Sequence, residues 1–280
     1  MRVVSKKEAV LLIVDNLHKR NMMTSSLLRF FVQMALGAIV VLTTSTLNRL
    51  MVVELSLPAI LPGLLVGLHY GIQLTRPHWG FYSDTGGHRT RWIVGGMLAL
   101  ALGAFMAACA LPIFPQSFAM GLAVSIVAYT LIGLGVGASG TSLLALLATT
   151  TAPHRRAAAA TITWLMMIFG IAATAGTVGQ FIDPYSPTLL IKIVGIVVSI
   201  ATLVTCIAVW RIERTLIAIR EPDPTPFREG LKGVWSERKA RNFTIFVFLS
   251  MTAYFMQELI LEPYAGLVFG FTPGQSTSLS

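Results

Sequence analysis

From Trp92 to Pro153 the chain runs for 62 residues without an Asp, Glu, Lys or Arg, about three times the ~20 residues an α-helix needs to cross a bilayer. A stretch this apolar excludes a water-soluble globule. The rest of the chain agrees: 55% of its 280 residues are hydrophobic and 12% are charged, with a mean hydropathy of +0.74, against roughly a quarter charged in soluble domains. The apolar runs are continuous rather than alternating, and a helix satisfies its own backbone in lipid, so helices are expected rather than barrel strands. The fold class is therefore an all-α integral membrane protein.

Runs of spanning length predict helices over 30–51, 57–79, 92–111, 118–148, 157–182, 188–210 and 243–263. Turn-rich connections separate them, notably Leu111-Pro112-Ile113-Phe114-Pro115-Gln116 and Asp183-Pro184-Tyr185-Ser186-Pro187, both without Lys or Arg. The alternate connections hold 18 of the 21 basic residues: six before the first span, Arg89 and Arg91, Arg155 and Arg156, and eight between Arg211 and Arg241. Basic residues gather on the cytoplasmic side, so the N-terminus and the connection after span six are expected there. The net charge of +9 is then a topological feature and not a nucleic-acid footprint. Cys109 and Cys206 fall within apolar runs and behave as small hydrophobes; no disulfide framework or metal site is expected. The N-terminus lacks the compact apolar core and small-residue cleavage site of a signal peptide, leaving the first span as the insertion signal.

Four regions follow: a cytoplasmic segment 1–29, a six-helix transmembrane half 30–210, a cytoplasmic linker 211–242, and 243–280, read as the first helix of a second half with the loop after it. Six spans, a long basic linker and a seventh span match the order of transporters built from two six-helix halves, so a chain truncated after the seventh helix is expected. Within the linker, Phe227, Leu231, Val234 and Trp235 recur at helical spacing. Two readings stay open: an amphipathic helix on the membrane surface with Lys232, Arg238 and Lys239 near anionic headgroups, or a solvated linker.

Between spans two and three lies Gly80-Phe81-Tyr82-Ser83-Asp84-Thr85-Gly86-Gly87-His88-Arg89-Thr90-Arg91. It resembles the signature loop of the major facilitator superfamily, with Gly80, Asp84, Gly87 and Arg89 on the family's Gly, Asp, Gly and basic positions; Thr85 stands where the family has Arg. A carboxylate near a helix N-terminus with Arg partners suits a charge cluster that breaks as helices rock, or a plain stabilising turn. Further stretches resemble the PucC, or bacteriochlorophyll delivery, family, a branch of the major facilitators. They are Thr46-Leu47-Asn48-Arg49-Leu50-Met51-Val52-Val53-Glu54-Leu55, His69-Tyr70-Gly71-Ile72-Gln73-Leu74-Thr75-Arg76-Pro77 and Gly133-Leu134-Gly135-Val136-Gly137. The resemblance implies a helical bundle of major-facilitator type in a bacterial inner membrane, cytoplasmic or intracytoplasmic and photosynthetic. It also implies a role in light-harvesting complex assembly, with bacteriochlorophyll as a ligand and light-harvesting polypeptides and pigment synthesis enzymes as partners beside the lipid bilayer.

Candidate binding or coupling residues are few. Arg49 and Glu54 close the first span five residues apart, and read more simply as interfacial charges snorkelling to water than as an ion pair. His69, Gln73 and Arg76 share one helical face at i, i+4 and i+7. The His69 imidazole could ligate the magnesium of a chlorin, accept a proton, or hydrogen-bond another helix. Glu258 and Glu262 share a face near the end of span seven and are either hydrated there or, if Glu258 turns inward, suited to proton coupling. Gly135-Val136-Gly137-Ala138-Ser139-Gly140 satisfies G-x-G-x-x-G, but it has no preceding strand and no acidic residue about twenty positions on, so it reads as a helix-packing face. With no nucleophile-base set or phosphate loop, the chain is not expected to be an enzyme. The leading expectation is a PucC-like assembly and pigment-delivery factor; the alternatives are a proton-coupled transporter of a small solute and an accessory subunit of bacteriochlorophyll synthesis.

Overall fold

The computed structural model describes residues 30–85, 89–151, 153–210 and 227–278. The segment 1–29 and most of the expected linker, 211–226, lie outside them. Among the described residues the fold is all-α, with no strand. Helix α1 is Phe30–Val53, and α2 is Ile60–Ile72. A 3₁₀ turn Gln73–Thr75 joins α2 to α3, Arg76–Thr85. Then follow α4 Arg89–Ala110, α5 Phe118–Thr150, α6 Arg156–Phe181 and α7 Pro187–Val209. After the linker come α8 Phe227–Ser236, α9 Arg238–Phe269 and a short α10 Pro273–Thr277.

Among the described residues, five helices are long and apolar enough to cross a membrane: α1, α4 with its 3₁₀ extension to Ile113, α5, α6 and α7. The other two expected spans are also helical. The 57–79 span is split, because Gln73, Arg76 and His78 interrupt the apolar run and the helix re-forms beyond a tighter turn. The 243–263 span sits inside one continuous 32-residue helix, Arg238–Phe269, that opens on Arg238, Lys239 and Arg241 and then runs into the apolar Phe243-Thr244-Ile245-Phe246-Val247-Phe248-Leu249. At about 1.5 Å per residue α9 is ~48 Å long, more than the ~30 Å hydrocarbon core requires.

The turn-rich connections end as helix starts. Ser117 and Ser186 accept the Met120 and Leu189 N–H groups at the heads of α5 and α7, satisfying donors that have no partner within the helix, and Pro187 occupies the first turn. The centre of the bundle is the crossing of α4, α5 and α7, with α2 and α3 against the other side of α5. Glycine makes those crossings close. A Cβ on Gly96 would come within 2.5 Å of the Ser139 nitrogen, one on Gly103 within 2.7 Å of the Ala128 carbonyl, and one on Gly133 within 2.7 Å of the His69 carbonyl. The run read as a packing face is therefore where α4 and α2 meet α5, the arrangement by which membrane helices gain van der Waals contact without hydrophobic drive. By contrast α6 exposes Trp164, Leu165, Ile168 and Phe169, and α7 exposes Ile196, Ile200, Leu203 and Ile207, as lipid-facing surfaces do.

Candidate functional site

Helix α1 carries a polar seam through the bundle. Thr43, Thr44, Ser45, Thr46, Asn48 and Arg49 are all buried on it, and over Leu42–Thr46 the helix widens into a π turn. Such a turn breaks the regular ladder and turns a carbonyl outward. Here the Thr43 carbonyl accepts the buried Tyr129 hydroxyl of α5 at 2.8 Å, while the Thr43 and Thr44 hydroxyls donate to the Val40 carbonyl at 2.9 and 3.0 Å.

One turn further on, Arg49 is 2% exposed. This corrects the interfacial reading: its head does not reach water. Nη1 donates to Glu54 Oε1 at 3.0 Å, and Nη2 donates to the Phe271 carbonyl, 222 positions away, at 2.7 Å. The α9 backbone approaches because Gly266 lies opposite; a Cβ there would be 2.9 Å from Val53 Cγ2 and 3.3 Å from Arg49 Nη2. Glu262, also read as hydrated, is buried on the same turn of α9 at 2% exposure. Burial in a low-dielectric interior explains the pairing, since an isolated guanidinium there is costly; the carboxylate and the carbonyl answer one donor on each terminal nitrogen, while the buried Nε makes no hydrogen bond.

A second charge grips the same segment. Asp183 Oδ2, in the α6–α7 connection, accepts the Thr272 hydroxyl at 2.6 Å and the Gly274 N–H at 3.1 Å. Thr272 and Gln275 complete a reciprocal capping box at the start of α10. Ser276 and Thr277 are then fully buried, with Thr277 Oγ1 3.5 Å from Thr46 Oγ1. The polar tail read as a loop is thus a capped helical turn seated on α1 and α6. Beside it, burial pushes the Tyr185 phenol above its ordinary pKa and the Glu54 carboxylate adds to the shift.

The expected face on span two is also assembled. Arg76 Nη2 donates to Gln73 Oε1, and Gln73 Nε2 lies 2.8 Å from His69 Nε2. Arg has no acceptor, so it fixes the Gln73 oxygen toward itself and the amide nitrogen toward His69; the neutral imidazole then accepts at Nε2 and carries its proton on Nδ1. That Nδ1 is buried and makes no hydrogen bond. Neither ring nitrogen therefore offers a free lone pair, and in this arrangement the residues do not fit magnesium ligation by His69. Among the described residues no group of three or more His, Cys, Asp or Glu could hold a metal ion.

At the opposite end, Arg89, the first residue of α4, donates to the Ala145 carbonyl at 3.0 Å and to Thr149 Oγ1 at 2.5 Å, a cation on the last turn of α5 where the helix dipole favours it. Gly80 lies 3.4 Å, at its notional Cβ, from Thr141 Cγ2. The Asp84 and Glu258 side chains, and Gly87 altogether, lie outside the described residues. Sequence reasoning missed Asp183, Thr272 and Tyr129. Thr272-Pro273-Gly274-Gln275 does carry the capping-box spacing that would have found α10.

With this geometry in hand, comparison with known proteins is direct. Over 250 residues the chain is 65% identical to a Rhodobacter capsulatus protein named bacteriochlorophyll synthase 44.5 kDa chain, covering 89% of this chain and 58% of that protein. It is 30% identical over 281 residues to protein PucC of Cereibacter sphaeroides, covering 95% of this chain and 60% of that one. A PucC of Rhodovulum sulfidophilum is 30% identical over 268 residues, with 89% and 58% covered. The chain thus spans under two thirds of the length of these relatives. The family model described as PUCC protein matches residues 46–280, from the π turn of α1 through α10, and the chain belongs to that family.

Proposed function

We propose that this chain is a PucC-type membrane factor that assists assembly of light-harvesting complexes and delivers or shields bacteriochlorophyll, without covalent chemistry of its own. The observation that carries the reading is the family match across α1 to α10. It acts in the inner or intracytoplasmic membrane of a photosynthetic bacterium as a bundle of major-facilitator type, with its N-terminus and linker cytoplasmic, as the placement of Lys and Arg supports. Light-harvesting polypeptides and pigment synthesis enzymes are its partners. An apolar macrocycle or a single-span polypeptide would meet it on exposed helix faces such as that of α6, where Trp164 and Phe169 stand out. His69 accepts a hydrogen bond from Gln73 and contributes no metal bond.

The name of the 65%-identical relative favours a second reading, an accessory subunit of bacteriochlorophyll synthesis. Deleting the gene separates the two. An assembly factor leaves bacteriochlorophyll synthase activity in isolated membranes intact while the absorption bands of assembled complexes fall; an accessory subunit loses the synthase activity itself. Normal complex bands in the deletion strain, with no chlorin bound to the protein purified in mild detergent, would sink the proposal. Loss of solute uptake in Glu258→Gln, with pigment complexes unchanged, would point to a proton-coupled transporter instead.

A further inference from the structure

Helix α8 lies at the edge of the bundle, against the start of α9 and lightly against α3, and its placement is specific. Glu237, with φ −78° and ψ 116°, is extended between Ser236 and Arg238, so α8 is not a continuation of α9 but is turned away from it by one residue. Arg238, Lys239 and Arg241 open α9 at the boundary where a membrane-crossing helix meets water. The C-terminal end of α8 therefore lies at headgroup level. Its register puts Phe227, Leu231, Val234 and Trp235 along one stripe, at i, i+4, i+7 and i+8, with Glu229, Lys232 and Ser236 opposite.

Two observations say what covers that stripe. Trp235 is 52% exposed, and Trp210, at the end of α7 on the same side of the bundle, is 72% exposed; an indole with an apolar body and a polar N–H favours the membrane interface. Around them Lys232, Arg238 and Lys239 are exposed. From Phe227 to Arg241 there are five Lys and Arg against two Glu. An apolar stripe flanked by net positive charge complements an anionic lipid surface, where burial of the stripe and attraction to headgroups act together.

We propose that α8 lies in the plane of the cytoplasmic leaflet as an anionic-lipid-binding helix, its Phe227–Trp235 stripe in the acyl boundary and its cations on the headgroups. This is independent of the pigment reading. The test uses the whole chain with Cys109→Ala and Cys206→Ala, carrying an environment-sensitive dye on either Val234→Cys or Ser236→Cys, in phosphatidylcholine vesicles with and without phosphatidylglycerol. The expected result is a blue-shifted Val234→Cys label quenched by iodide severalfold less than the Ser236→Cys label, with the contrast larger when phosphatidylglycerol is present. Neutralising Lys232, Arg238 and Lys239 together to Gln should remove the lipid dependence but keep the chain monodisperse in detergent. Equal quenching of the two labels, or a contrast indifferent to lipid charge, overturns the proposal. So does protection of Val234→Cys that appears only when native membrane proteins are added, since the partner is then a protein.

Discussion

Arg49 is the residue on which the α1 end of the bundle turns. Arg49→Gln leaves the Phe271 carbonyl without its donor in a dry setting, and leaves Glu54, whose side chain is 30% exposed, without its cation. Breaking a fully buried pair from one side costs about 3 kcal/mol and an exposed one under about 1 kcal/mol, so this partly exposed pair falls between them, and neutralising both partners costs less than removing the cation alone. Thermal unfolding in detergent should therefore rank Arg49→Gln below Arg49→Gln/Glu54→Gln in stability; the opposite order would mean that Glu54 is not the partner that matters. Asp183→Asn should be milder, about 1 kcal/mol, because one oxygen remains to accept from Thr272 or Gly274. In the sequence, Arg49 and Glu54 stand out as charges beside an apolar run, but a lone helix end gives no sign of whether water or protein lies opposite. The deciding group is a backbone carbonyl 222 positions away, which no spacing rule can reach.

At the scale of elements, hydropathy was a sufficient guide to where helices exist, because a backbone in lipid has few other ways to satisfy itself. It was a poor guide to how they are interrupted. The π turn at Leu42–Thr46 falls in Leu-Thr-Thr-Ser-Thr, whose hydroxyls bond to the preceding turn and tolerate a widened ladder, and its freed carbonyl is answered by Tyr129 from another helix. Tyr129→Phe keeps the ring and removes the donor, so it should cost about 1 kcal/mol and expose the π turn to faster amide exchange at Thr46 and Leu47. The glycine run is different, since its role as a packing face was legible from small residues inside a span. Gly96→Leu would drive a side chain into the Ser139 and Gly135 backbone, which cannot yield as a flexible side chain could. Its expected outcome is a larger loss than that of Tyr129→Phe, with much reduced yield of folded protein in the membrane.

For the molecule as a whole, the alternating path of the helices explains why Arg49, Asp183 and Phe271–Gly274 can meet. The ends of α1, α6 and α9 lie at one face of the bundle, while α8 and the Arg89 loop lie at the other. That alternation follows from the order of spans and loops, and so was legible in outline; the seating of α10 was not, since its polar residues look like a loop until capping and a buried groove are supplied together. The placement of Lys and Arg carries the proposed orientation. An impermeant thiol reagent applied to intact cells should label Gln116→Cys and spare Trp235→Cys, and the reverse pattern would invert the topology. The seating itself can be tested by a disulfide. Thr46 and Thr277 hydroxyl oxygens are 3.5 Å apart and enclosed, so thiols in their places would face each other at a distance that a rotamer adjustment closes to the ~2.05 Å of an S–S bond. In a chain lacking Cys109 and Cys206, Thr46→Cys/Thr277→Cys should cross-link under mild oxidation in the membrane, while Thr46→Cys/Trp235→Cys, at opposite faces, should not. Adding Asp183→Ala removes the carboxylate that holds Thr272 and Gly274 and should slow the first cross-link severalfold. If the rate is unchanged, α10 is held by packing of Ser276 and Thr277 alone and the Asp183 contact contributes no retention.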